Sequence, residues 1–194
     1  TKPQLWSPQS PAQYQLLTRI EENNTIIDGV KNKIGIRSID FRGEQGLFLN
    51  GEAYQGKLNG VNRHQDFAYL GNALPNSGQW RDAVLLKRAG VNIVRSAHYP
   101  MDPAFMDACD QLGIFVIVAT PGWQFWNKAP IFEKRVLSDI QNMVRRDRNR
   151  ASVLMWEPIL NETWYPDYFA KKVHELVHAE YPYPGAFTAS DEHA

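Results

Sequence analysis

The stretch that decides the fold reads Val153-Leu154-Met155-Trp156-Glu157-Pro158-Ile159-Leu160-Asn161-Glu162-Thr163-Trp164. It is a short, mostly apolar run, which is typical of a strand buried on both faces of a parallel sheet. Two polar residues, Asn161 and Glu162, follow this run directly. A buried strand that ends in polar groups indicates an α/β protein whose functional site lies at the carboxyl ends of its strands.

The same alternation of apolar runs and segments of helical spacing extends back to about residue 46. Pro103 is placed to open a helix, and Gly90 and Gly113 are placed to close two others. In the first helix we expect Val84, Leu85 and Ala89 to share one face. The pattern predicts strands over residues 57–62, 91–96, 114–120, 153–160 and 185–189, and helices over residues 80–89, 103–112, 132–146 and 167–181.

A doubly wound sheet and a (β/α)8 barrel would both produce this alternation. The glycine-rich phosphate loop of a doubly wound sheet is missing after the first strand, where residues 62–66 read Asn-Arg-His-Gln-Asp. Polar and aromatic residues also follow every predicted strand, and in a barrel all these positions crowd one face. The positions are His64, Asp66, Arg95, His98, Trp123, Trp126, Asn161, Glu162 and residues 191–193. The barrel is therefore the favoured fold class.

A complete barrel takes about 250 residues, so we assign residues 46–194 to the N-terminal half of one, with four βα units and a fifth strand. The chain is therefore expected to be a fragment. Residues 1–45 are strand-like, with apolar and charged residues alternating over residues 33–41 and a polar turn at residues 21–24. We assign them to the last strands of a β-sandwich and its linker, and because two or three strands alone make a poor core, they should belong to a larger sheet or pack on the segment that follows.

Composition excludes several classes of protein. The chain has 194 residues, of which 43% are apolar and 22% charged, so it is not disordered. Lys plus Arg number 21 and Asp plus Glu also number 21, which disfavours nucleic acid as a partner. No apolar run is long enough for a membrane span. The single thiol, Cys109, is expected to be a buried structural residue.

Glu162 is the first candidate for chemistry. A carboxyl group at the rim of a barrel among aromatic side chains is in a setting that raises its pKa towards the range useful to a general acid. Asn161 beside it can hydrogen-bond a substrate hydroxyl. From these residues alone, a Glu162 that merely begins a solvated loop fits equally well.

Three ordered motifs resemble glycoside hydrolase family 2, which includes β-galactosidases, β-glucuronidases and β-mannosidases. They are residues 60–66 (Gly-Val-Asn-Arg-His-Gln-Asp), 94–100 (Val-Arg-Ser-Ala-His-Tyr-Pro) and 156–162 (Trp-Glu-Pro-Ile-Leu-Asn-Glu). Residues 5–8, 35–37 and 48–51 resemble the junction between that family's immunoglobulin-like sandwich and its barrel, which implies that residues 1–45 are the C-terminal strands of such a sandwich and its linker. The versions at residues 60–64 and 95–100 look closest to the β-galactosidase branch.

The resemblance implies a role for each matching residue. Glu162 would be the general acid/base and Asn161 would bind the sugar's 2-hydroxyl group. Arg95 would steady the nucleophilic carboxylate, which in this family follows a strand beyond residue 194. His64, His98 and Asp66 would line the sugar pocket. Within the chain, Glu157 is expected to point to the opposite side of the sheet from Glu162, and Asp191 and Glu192 have no motif behind them.

The chain departs from the family after the third barrel strand. Many β-galactosidases of the family carry acidic and histidine residues there that help to bind a divalent cation, whereas residues 119–126 contain neither type. We therefore expect no metal at that position, and no cofactor. Trp123 and Trp126 either stack on a sugar ring or pack beneath the loop.

Two patterns are read as structural. His174 and His178, spaced by four residues, are expected to lie on a helix surface, since no third ligand accompanies them. The basic run at residues 145–150 is expected to be the solvated end of a helix.

The leading hypothesis is thus part of a retaining exo-β-glycosidase that acts on terminal β-D-galactosides. The alternatives are a β-glucuronidase or β-mannosidase of the same family, or a non-catalytic carbohydrate-binding or structural module. The expected partners are a carbohydrate and the rest of the same polypeptide, with a homo-oligomer left open. The fragment alone is expected to be inactive, and nothing in the sequence indicates a compartment.

Overall fold

The computed structural model describes residues 2–121, 125–159 and 163–183. Its strands are β1 (Tyr14–Glu22), β2 (Thr25–Ile34), β3 (Ile39–Phe41), β4 (Leu47–Leu49), β5 (Glu52–Ala53), β6 (Gly60–Arg63), β7 (Ile93–Ser96), β8 (Phe115–Ala119) and β9 (Val153–Glu157). Its helices are α1 (Asn76–Arg88), α2 (Pro103–Leu112), α3 (Pro130–Asp147) and α4 (Asp167–Glu180).

The last four strands form one parallel sheet in the order β6-β7-β8-β9, and each is followed by a helix. Over the described residues this is an open segment of a (β/α)8 barrel, so the predicted fold class and its four βα units are confirmed. The predicted fifth strand at residues 185–189 lies outside the described residues.

The two faces of this sheet carry different cores, because successive side chains of a strand point to opposite faces. Val94, Val116 and Trp156 pack against helix residues such as Phe105 and Ile140 in the larger cluster, which covers the outer face. Their neighbours along the strands form a second, smaller cluster with residues from the N-terminal part of the chain. Its buried members are Trp6, Ile39, Leu49, Ile93, Phe115, Ala151 and Leu154, with Ile117 and Met155 partly buried beside them.

The N-terminal part contains two small antiparallel sheets. β1 and β2 form a hairpin around a turn at residues 23–24, as predicted, but both strands are longer than the pattern indicated. The strand predicted over residues 33–41 is interrupted, because residues 35–38 bond to other segments instead of a neighbouring strand. The Ile36 carbonyl accepts from the Trp6 amide (2.8 Å), and the Ser38 amide donates to Asn50 Oδ1 (3.0 Å).

β3, β4 and β5 form the second sheet. Strands β4 and β5 are too short to show the alternation that predicts a strand from sequence. β3 pairs with β4 across the proposed boundary between residues 45 and 46. The division into residues 1–45 and 46–194 remains a proposal.

Three of the four helices lie within two residues of their predicted bounds. In α2, Pro103 occupies the first turn, the Asp102 side chain accepts from the Ala104 amide (2.7 Å), and Gly113 adopts the left-handed conformation at the C-terminus. α1 differs in both start and face. It begins at Asn76, and it buries Gln79 and Ala83 while Leu85 is exposed.

The basic run at residues 145–150, at the end of α3, is held by ion pairs and is more than a solvated helix end. Arg150 contacts the carboxylates of Asp107 and Asp147 at 2.6 and 3.0 Å. Arg145 pairs with Glu180 at 2.8 Å, which ties α3 to α4. None of the helices in the described part of the chain combines the length and the apolar character needed to cross a membrane.

Candidate active site

The carboxyl ends of the four parallel strands are joined by hydrogen bonds that continue past the sheet. The Ala97 amide donates to the Arg63 carbonyl (3.0 Å), and the Thr120 amide donates to the Glu157 carbonyl (3.0 Å). Between them the hydroxyl of Ser96, which is fully buried, accepts from the Ala119 amide at 2.7 Å. These bonds hold the starts of the following loops at fixed positions.

His64 and His98, predicted from strand-end positions, are brought together. They follow β6 and β7, and their ring centroids lie 5.6 Å apart in an edge-to-face arrangement. The peptide bond between Ala97 and His98 is cis. The structure therefore places two imidazoles side by side at the carboxyl end of the sheet, where they can offer hydrogen bonds to a polar ligand.

Buried polar contacts order the two loops that carry these histidines. The Gln65 amide N–H donates to the Tyr99 hydroxyl (2.8 Å), and the Gln65 side-chain oxygen accepts from the Asp102 amide (3.0 Å). Gln65 Nε2 also donates to the Asn72 carbonyl at 3.2 Å. The sequence motifs include Gln65 and Tyr99 without revealing this link, because the two residues lie in different βα loops.

Arg95 projects from the middle of β7 and forms an ion pair that the sequence analysis missed. Its Nε donates to Glu157 Oε2 at 2.7 Å and its Nη2 donates to Oε1 of the same carboxylate. The Glu157 side chain is 8% exposed and that of Arg95 21%. The role implied for Arg95 towards a nucleophilic carboxylate stays a prediction.

A second buried arginine, Arg63, lies at the end of β6 but faces the helices. Its Nε donates to Asp82 Oδ2 (2.5 Å) and its Nη2 donates to Gln79 Oε1 (2.9 Å), both on α1. Its guanidinium lies over the Phe105 ring of α2, 4.0 Å from the centroid. These contacts explain why α1 turns Gln79 inward, and they give Arg63 a structural role.

The aromatic residues divide between core and surface. Trp126 packs on Phe169 of α4, with ring centroids 4.5 Å apart, so packing beneath the loop is what the structure shows for it. Trp156 is buried among the helices. Phe125 and Trp164, in the loops after β8 and β9, are 81% and 79% exposed.

Several predicted site residues lie outside the described residues: Trp123, Asn161, Glu162, Asp191 and Glu192. Their roles stay predictions. Asp66 lies in the loop after β6 and is exposed. The hydroxyl of Thr120, which the sequence analysis did not single out, is buried at the end of β8 without a hydrogen-bond partner among the described residues.

The residues present do not fit the divalent cation that many β-galactosidases of the resembling family hold after the third barrel strand. The described residues after β8 offer no carboxylate or imidazole there. No group of three or more His, Cys, Asp or Glu side chains within the described ranges could hold a metal ion.

A cavity of about 1050 Å³ lies at the other end of the sheet, before β9. It is lined by charged side chains, including Arg37, Asp110 and Arg150. Burial raises the pKa of the Asp110 carboxyl, whose Oδ1 accepts from the Ser152 amide at 2.7 Å. Arg37 donates to the carbonyls of Ala151 and Val153, and its burial lowers its pKa. The two bonds of Arg37 join the N-terminal part to the barrel, away from the candidate site.

A parallel sheet whose strands follow the order of the sequence, with the helices packed on one face, is the arrangement of a segment of a (β/α)8 barrel. Among proteins with this barrel, the chain belongs to family 2 of the glycosyl hydrolases. The family's TIM barrel domain matches residues 42–180, and a second description, "Glycosyl hydrolases family 2", matches residues 1–37.

Individual relatives carry two kinds of name. A β-galactosidase of Thermoanaerobacter pseudethanolicus is 36% identical over 91% of this chain, and a putative β-glucuronidase of Formosa agariphila is 31% identical over 86% of it. The crystal structure of a β-glycosidase from Bacteroides vulgatus superposes with a TM-score of 0.85 and 31% identity over 98% of this chain. The chain spans 23%, 20% and 25% of these three proteins.

Proposed function

We propose that this chain forms part of a retaining exo-β-glycosidase that removes terminal β-D-galactosyl residues. The observation that carries the proposal is the convergence of His64, His98 and the Arg95–Glu157 pair at the carboxyl end of a family 2 barrel sheet. This is the face on which barrel enzymes bind their substrates. The described residues supply polar groups for a sugar. In the sequence, Glu162 lies five residues after Glu157, the last residue of β9.

In the proposed reaction Glu162 acts as general acid and then as general base. It protonates the glycosidic oxygen while a second carboxylate, supplied by a part of the barrel outside this chain, attacks the anomeric carbon. Glu162 then takes a proton from the water that releases the sugar. Asn161 holds the 2-hydroxyl group, and the two carboxyl groups need a separation of about 5 to 5.5 Å.

A neutral sugar fits the charges of the described site better than a uronic acid does. The guanidinium of Arg95 is already matched by the carboxylate of Glu157. Because the pair as a whole carries no net charge, it provides no net attraction for the carboxylate of a uronic acid. The name of the Thermoanaerobacter relative supports a galactoside, whereas the name of the Formosa relative keeps a glucuronide as the second candidate.

The first test compares aryl β-glycosides in the full-length protein that contains this chain. We expect turnover of the galactoside to exceed that of the glucuronide and the mannoside. Preference for the glucuronide would replace the proposed substrate within the same family. Galactose binding without turnover of any glycoside would identify a carbohydrate-binding module and reject the enzyme.

The second test replaces the proposed acid. Glu162→Gln should reduce turnover of substrates with poor leaving groups by about 10²-fold or more, and that of good ones much less, because a good leaving group departs without protonation. The control is Glu175→Gln, a change on the exposed surface of α4 that should leave both rates as they are. Equal losses on both kinds of substrate would contradict the acid role.

A further inference from the structure

Arg95 and Glu157 belong to the face of the sheet that the helices do not cover. Arg95 lies two positions after Ile93, and Glu157 lies two positions after Met155. Both Ile93 and Met155 belong to the smaller cluster on the inner face. Because residues two apart on a strand point to the same face, the charged pair lies on that inner face, one step nearer the carboxyl end. The pair reaches across β8, which separates β7 from β9.

The pair is a bidentate salt bridge, a geometry that restrains the guanidinium strongly. Nε and Nη2 of Arg95 donate to the two separate oxygens of Glu157, which accounts for two of the five guanidinium N–H donors. Such charge-assisted double bonds define the orientation of the guanidinium as well as its position. The largely buried Glu157 side chain therefore restrains the orientation of the Arg95 guanidinium.

Packing of the helices does not account for this pair. The Arg63–Asp82 pair on the outer face does serve that packing, since it joins β6 to α1 and lies over a ring of α2. Both arginines are largely buried, with side-chain exposures of 4% for Arg63 and 21% for Arg95. The Arg63–Asp82 pair can therefore serve as a structural control for the Arg95–Glu157 pair.

We propose that Glu157 is a positioning residue for glycoside cleavage: it fixes Arg95 and matches its charge beneath the position of the sugar. This inference rests on the proposed function. Among the described residues, the loops after β6 and β7 add the titratable groups His64, Asp66, His98 and Tyr99 at this end of the sheet, and β8 itself contributes none. Without Glu157, the unmatched guanidinium would favour the ionised form of nearby carboxyl groups. Glu162 follows Glu157 by five residues and must keep a proton to act as an acid.

The test is the pH dependence of kcat/KM for an aryl β-galactoside with a poor leaving group, in the full-length protein. Glu157→Gln should lower kcat/KM about 10- to 100-fold and move the alkaline limb to lower pH by about one unit, because loss of the negative charge makes the acid ionise earlier. Asp82→Asn is the matched control. It should lower the thermal midpoint and leave the limb in place. The double variant Glu157→Gln/Arg95→Gln, which has no net charge at the pair, should return the limb towards its original pH.

Each outcome distinguishes this inference from the proposed function. Galactoside turnover with an unmoved limb in Glu157→Gln would overturn the inference alone. If the wild-type protein turns over only another glycoside, the proposed substrate is corrected. The alkaline limb of kcat/KM is then compared between the wild-type protein and Glu157→Gln with that glycoside. An inert wild-type protein would overturn both. If Glu157→Gln does not fold, Glu157→Asp keeps the charge and should retain the original limb with a lower kcat, whereas a shifted limb in this variant would contradict the proposal.

Discussion

Cys109 illustrates how completely the outer core excludes solvent. It lies in α2 with no exposed surface, and burial raises the pKa of its thiol far above the usual range. The thiolate is the reactive form, so the native protein should not react with a thiol reagent even at pH 9.

The measurement is the rate of labelling by a chromogenic disulfide reagent, with the urea-unfolded chain as the control. The unfolded chain should react within minutes as an ordinary thiol. Labelling of the native chain at a comparable rate would show that α2 opens readily or that Cys109 is not packed as described.

For single residues, the sequence predicts which residues lie close together more readily when they follow strands than when they lie within strands. The proximity of His64 and His98 could be predicted, because the carboxyl ends of parallel strands meet at one edge, and their role towards a sugar stays a prediction. The ion pair between Glu157 and Arg95 could not be predicted from the sequence. Arg95 lies 62 residues away from Glu157 across another strand, and a contact of that kind is set by sheet order and register.

At the C-terminal end of α2, a glycine substitution can measure how much a close contact with the Pro8 backbone contributes to stability. Gly113 has a φ of +69°, and a Cβ there would lie 2.4 Å from the Pro8 carbonyl oxygen, which belongs to the backbone. Gly113→Ala should destabilise the fold by about 3 kcal/mol, from the left-handed conformation and the overlap together.

Gly90 provides the matched control. Its φ is +84°, but a Cβ there would meet nothing within 4 Å. Gly90→Ala should therefore cost only about 1 kcal/mol, the conformational part alone. Urea unfolding of the protein and both variants measures these free energies. Equal losses for the two variants would show that the contact with Pro8 has no energetic effect.

Element bounds were predictable where local signals exist. Pro103 and Gly113 mark the two ends of α2 by their own backbone preferences. The buried face of α1 was predicted wrongly, because a polar residue, Gln79, is turned inward by a hydrogen bond from Arg63. Apolar periodicity contains no information about such a partner on another element. The short strands β4 and β5 were missed for a related reason, since pairing with β3 defines them.

For the whole molecule, the exposed apolar residues concentrate in the hairpin. Leu16, Ile20, Ile27 and Val30 are each 48% to 59% exposed. A two-stranded sheet with such side chains needs a covering surface. We therefore expect the 194-residue chain, expressed by itself, to self-associate through this hairpin.

Charged substitutions test this expectation. Ile20→Lys combined with Ile27→Lys should shift the chain towards monomers in gel filtration with light scattering. Gln15→Lys, at an exposed position that points to the opposite face of β1 from Leu16 and Ile20 and pairs with Lys33, is the control and should change the distribution little. Association that is insensitive to the paired lysines would place the contact elsewhere, for example on the edges of the parallel sheet.

Trp6 links the N-terminal part of the chain to the barrel segment. Its indole donates to the Asp110 carbonyl (2.7 Å), its ring packs edge-on against Phe115, and its own carbonyl accepts from Asn50 (3.0 Å). The peptide connection through the exposed residues 55–59 is therefore not what keeps the N-terminal part in place. A molecule nicked in that connection would remain a single particle, and its two pieces are the natural units for fragment complementation.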